Sequence, residues 1–104
     1  MKDKNAVESP FVIDQDSLYI DFETEAGIYE GFSYLTLRRL KFENLGKEKE
    51  AITFFFDTDT VRITGMNLNS LYQEIKKHRV SIVRKGISAE TTKPQIKEIS
   101  ILKS

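Results

Sequence analysis

Hydrophobic and polar positions alternate along much of this chain with the two-residue period of a strand, and once they take up the longer period of a helix. In "SLYIDFET" (17–24), Leu18, Ile20 and Phe22 fall on one side and Tyr19, Asp21 and Glu23 on the other, the pattern of a half-buried strand. "AITFFFD" (51–57) is the most strand-like stretch, with Ile52, Phe54 and Phe56 on one face and Thr53 and Phe55 on the other. "DTDT" (57–60) reads as a short hairpin connection, and "VRIT" as the returning strand. "FVIDQ" predicts a short edge strand after Pro10, "VSIV" (80–83) a strand, and "QIKEISIL" a last one with Ile99 and Ile101 in phase.

Between these lie the connections. "EAGI" (25–28) is a turn built on Gly27, and "NLGKEKE" (44–50) a charged loop. The segment "YEGFSYLTLRRLKFEN" is too long for one regular strand, and its phase shifts: Leu35 and Leu37 share one parity, Leu40 and Phe42 the other. A period-2 strand cannot bury all four, so a bulge, bend or short turn is expected near Leu35–Arg39.

In the run 61–86 the period changes. Leu68, Leu71, Tyr72 and Ile75 form an apolar stripe at i, i+3, i+4 and i+7, predicting an amphipathic helix over about 67–78. Gly65 is expected to end the preceding strand, where positive φ is useful, and Asn67 is the candidate N-cap. Lys76, Lys77, His78 and Arg79 crowd the C-terminal end, where positive charge suits the helix dipole. This run, "VRITGMNLNSLYQEIKKHRVSIVRKG", resembles the end of certain small uncharacterised bacterial domains, which finish with a strand, a G-x-N-L turn, a helix and a further strand. The residues that carry the resemblance are Ile63, Gly65, Asn67, Leu68, Leu71, Tyr72, Val80 and Val83. It implies a compact sheet with one helix and no particular activity.

Composition sets bounds on the chemistry. The 104 residues suit one domain at 11–104 behind a flexible lead-in at 1–10, and 39% hydrophobic with 31% charged residues describes a globular chain. The absence of cysteine excludes disulfides, thiolate catalysis and cysteine-ligated metals. "MKDKNAVESP" lacks the apolar centre of a signal peptide and no apolar run reaches the length of a membrane span, so a cytoplasmic location without membrane contact is expected. The formal charge is zero, yet residues 1–60 hold 7 Lys/Arg against 13 Asp/Glu and residues 61–104 hold 9 against 3. Such halves either satisfy each other across paired strands or give the molecule a basic face.

No stretch assembles a catalytic constellation. Asp57 and Asp59 have the spacing of a cation-binding loop, but hairpin turns favour aspartate for its local hydrogen bonds. His78 is the one histidine and sits among cations that disfavour its protonated form. The serines lack a nucleophile elbow, and neither glycine-containing turn has phosphate-loop spacing. We therefore expect no enzyme, no cofactor and no metal. The basic residues Arg62, Lys76, Lys77, Arg79, Arg84 and Lys85 are the candidates for contact with nucleic acid or another anion. Phe55, Tyr19 and Tyr34 are the candidates for an apolar patch on an outer sheet face.

The expected fold is α+β: a curved, mostly antiparallel sheet of five to seven strands with one principal helix. The expected role is a non-catalytic interaction module, a homo-oligomer or a partner for another protein, associating through that outer face. Nucleic-acid or anion binding at the basic helix end is the alternative.

Overall fold

The computed structural model describes residues 11–86 and 93–103; the lead-in 1–10 and the first part of the polar segment after residue 86 lie outside the described residues. In chain order the elements are β1 (Phe11–Ile13), β2 (Tyr19–Glu25), β3 (Ile28–Ser33), a single 3-10 turn (Tyr34–Thr36), β4 (Leu37–Gly46), β5 (Lys49–Phe56), β6 (Asp59–Met66), α1 (Asn69–Lys76), β7 (Val80–Arg84) and β8 (Gln95–Lys103). The strands form two four-stranded sheets, ordered β1-β7-β2-β3 and β4-β5-β6-β8. Every pairing is antiparallel except β2 with β7.

The α+β class with mostly antiparallel strands stands, but the single curved sheet of five to seven strands is corrected to eight strands in two sheets. The reason lies at the expected phase break. The Ser33 side chain accepts the Leu35 N–H at 3.1 Å and the chain turns through Tyr34–Thr36, so β3 ends in the first sheet and β4 begins in the second. A bulge at Arg38 then resets the parity: Leu37 lies opposite Phe56 and Leu40 opposite Phe54. Leu37, Leu40 and Phe42 all reach the core, while Leu35 is left exposed on the turn.

The two sheets face each other across one core. Ile20 and Phe22 from the first meet Ile52, Phe54, Phe56, Val61 and Ile63 from the second, and the Phe22 ring stands edge-on to Phe54 with centroids 5.0 Å apart. The helix stripe completes this core: Leu68, Leu71 and Ile75 are fully buried, and Tyr72 lies against Phe42 with centroids 5.2 Å apart. Each such burial contributes roughly 1.5–3 kcal/mol. Leu18, expected in phase with Ile20, precedes β2 and is exposed.

Several turns are tighter than their composition suggests. The charged loop 44–50 shrinks to Lys47–Glu48, both at positive φ (48° and 60°), a geometry that matches the twist of a two-residue hairpin. Gly27 turns the β2–β3 hairpin at φ +82°, as expected. Gly65 behaves otherwise: it lies inside β6, and an added Cβ would collide with the backbone carbonyl of Gln95. The positive φ falls instead on Asn67 (60°), whose side chain donates to the Lys93 carbonyl at 3.2 Å. Asn67 is therefore not the helix cap. The Leu68 N–H, at the helix start, donates to the Glu50 carboxylate of β5 at 2.8 Å.

Candidate functional site

The three aromatic residues expected to share one outer face do not share it. Phe55 lies on the outer face of the second sheet, between Arg39 and Thr60 in register, and the Arg39 guanidinium covers it at 5.2 Å from the ring centroid. Tyr19 belongs to the first sheet and is 61% exposed. Tyr34 is buried, 4% exposed, because the 3-10 turn folds it beneath the end of α1. Its hydroxyl donates to the Val80 carbonyl at 2.6 Å, and its ring stacks on His78 at 4.4 Å between centroids. Burial pushes the Tyr34 hydroxyl well above the usual tyrosine range, the Val80 bond offsetting only part of that. Tyr34 and His78 thus lock the helix end to the first sheet.

The basic residues are also dispersed. Arg62 lies on the outer face of the second sheet, its neighbours Val61 and Ile63 pointing into the core that α1 also packs, so Arg62 and the helix end are on opposite sides. Its guanidinium is 3.8 Å from Glu43. Lys76, Lys77 and Arg79 do gather at the helix end, with Lys76 5.0 Å over the Tyr72 ring and Arg79 paired to Glu74 at 3.3 Å. Arg84 and Lys85 follow at the far end of β7, roughly 13 Å further along the strand. Arg62 with Glu43, and Lys103 with Asp59 at 3.8 Å, join the acidic first half of the chain to the basic second half.

Asp57 and Asp59 are drawn to different partners. Arg38, set out from β4 by the bulge, holds the Asp57 carboxylate in a two-pronged contact, the second prong 3.0 Å long. That contact holds the Asp57 carboxyl below its ordinary range. Asp59 accepts from the Thr58 hydroxyl at 2.5 Å and faces Lys103. Among the described residues no group of three His, Asp or Glu side chains is placed to hold a metal ion, and no helix is long and apolar enough to cross a membrane.

Exposed apolar side chains are most frequent on the β2–β3 hairpin, at its two ends. Eight large hydrophobic side chains are exposed among the described residues, and four of them (Leu18, Tyr19, Ile28 and Tyr29) belong to this hairpin or its approach. Tyr19 and Tyr29 lie on the outer face of the first sheet, with Val12 and Ile82 half-buried across the row that contains Asp21 and Gly31. Gly31 lies in that row, and a Cβ added there would meet only the Asp21 carboxylate, the free end of a side chain that can swing aside. Ile28 and Tyr29 escaped the sequence reading because "IYEGFS" looks like any strand; only its place at the end of the sheet order exposes it. The signal available beforehand was that this strand carries one charged residue in six. Comparison of the chain with protein-family models, with curated proteins and with solved structures finds no match in any of the three.

Proposed function

We propose that the protein is a non-catalytic interaction module that associates with itself through the first sheet. The observation that carries this reading is the concentration of exposed Leu18, Tyr19, Ile28 and Tyr29 on one hairpin. Interface centres favour apolar and aromatic side chains, tyrosine among them, and are depleted of most charged residues. The outer face of the second sheet is more charged, with Arg39, Lys41, Glu43 and Arg62 around a covered Phe55, against Asp21, Glu23 and Arg84 on that of the first. Of Phe55, Tyr19 and Tyr34, the three residues expected to carry self-association, only Tyr19 is exposed, which favours the first sheet in this reading. Anion binding has less support, since Arg62 and Arg79 already face carboxylates and the six cations do not form one patch.

Light scattering across a range of protein concentrations tests the reading. The wild-type chain is expected to exceed monomer mass, and the double variant Tyr19→Ser, Tyr29→Ser to return to monomer with unchanged circular dichroism. Phe55→Ser should leave the assembly intact. A wild-type monomer at every concentration would overturn the proposal.

A further inference from the structure

The inference rests on the self-association proposed above and names the contact that makes it. An edge strand presents unpaired backbone groups that accept another strand unless a short length, a bulge or charge protects them. Four strands end the two sheets among the described residues. β1 is three residues long, and its register breaks between Val12 and Ile13. β4 carries Arg38, Arg39, Lys41 and Glu43 together with a bulge. β8 carries Lys97, Glu98 and Lys103, and Ile96 near its start already exchanges two 2.9 Å backbone bonds with Gly86. The register of β3 against β2 shifts only at its turn end, between Glu23 and Glu25; from Tyr29 to Ser33 it runs unbroken with the single carboxylate of Glu30, and Ile28, Tyr29, Glu30 and Gly31 are all exposed.

We infer that β3 pairs antiparallel with β3 of a second copy about a two-fold axis, joining the two first sheets edge to edge. Directly opposed residues of an antiparallel pair point to the same face, so the axis passes through a residue and not between two. An axis at Glu30 would set two carboxylates opposite each other, which is unfavourable. An axis at Tyr29 pairs only residues 28–30 of the strand, and one at Phe32 only 31–33. The axis at Gly31 pairs residues 29–33, places Tyr29 opposite Ser33 and Glu30 opposite Phe32, and sets no like charges face to face. The lone carboxylate thus selects the register and does not close the edge.

The chain has no cysteine, so introduced thiols report this contact directly. Tyr29→Cys and Ser33→Cys chains are mixed in equal amounts, oxidised under native conditions and run on a non-reducing gel. Each variant alone and Gly31→Cys alone are run beside them, after circular dichroism has established a native fold. Opposed Cα atoms in an antiparallel pair fall within disulfide range. The mixture and Gly31→Cys are therefore expected to give a species of twice the chain mass. Tyr29→Cys alone and Ser33→Cys alone should not, since like positions would stand roughly 13 Å apart. An assembly by light scattering that cross-links in neither case overturns the edge contact and leaves self-association standing. A wild-type monomer overturns both.

Discussion

The Glu50 carboxylate accepts the backbone N–H of Leu68 at 2.8 Å, so a strand of the second sheet caps the start of α1. Leu68 is fully buried, and no side chain of the helix's own N-terminus makes that bond. A negative group at this position also opposes the positive end of the helix dipole. Glu50→Ala is expected to lower stability by about 1–2 kcal/mol, the loss typical of a removed cap. Glu50→Gln keeps an acceptor and should cost only about 0.5 kcal/mol, the charge–dipole part. Urea unfolding of both variants checks this, and equal stability of Glu50→Ala and wild type would refute the capping role.

Leu71 sits at the centre of the buried helix stripe. Leu71→Ala should destabilise by about 2–5 kcal/mol in the same assay, the range for truncating a buried leucine. A loss near the scale of surface substitutions, under about 0.5 kcal/mol, would mean that α1 does not pack on the sheets.

Two glycines separate two kinds of requirement. Nothing lies within 4 Å of a Cβ added at Gly27, so Gly27→Ala pays only for its φ of +82°, about 1 kcal/mol. At Gly65 the obstacle is the Gln95 carbonyl, part of the backbone of β8. Gly65→Ala is expected to cost more than about 3 kcal/mol or to prevent folding, because β6 and β8 must part to admit the methyl group. Thermal melts that rank Gly27→Ala below Gly65→Ala would contradict this account.

Tyr34 makes stability depend on alkaline pH. Burial raises its folded-state pKa above the ordinary value of 10.0. The stabilisation of the neutral hydroxyl is fully present below that value and is lost as pH rises beyond it, since only the unfolded chain then releases the proton readily. Tyr34→Phe should be less stable at neutral pH by about 1 kcal/mol, the worth of the hydrogen bond to Val80. The gap between variant and wild type should narrow above about pH 10. Unfolding curves at neutral and alkaline pH measure that gap, and a constant difference would show that Tyr34 ionises freely in the fold.

Much of the secondary structure was legible because it depends on local periodicity. The alternation of Ile52, Phe54 and Phe56, and the stripe from Leu68 to Ile75, each mark the side of an element that must leave water. The parity break between Leu37 and Leu40 likewise required an irregularity, and the bulge at Arg38 provides it. The candidate site was far less legible. Tyr19 and Tyr34 look equivalent as aromatic residues, yet one is exposed and the other buried under the helix end. That distinction depends on which element covers each residue, and no local pattern encodes it.

The sequence by itself determined the class of fold, the buried face of the helix, the turn at Gly27 and the lack of thiol chemistry, because each follows from side-chain type and spacing along the chain. Tertiary structure alone decided that the strands divide into two sheets at Ser33–Thr36, and that Glu50 caps a helix eighteen residues away. It also decided that Gly65 answers to the carbonyl of Gln95, and that β3 is left at an edge. The physical reason is common to all four. Each depends on groups distant in sequence coming within a few ångströms, and those approaches are fixed only when the two sheets and the helix close on one core.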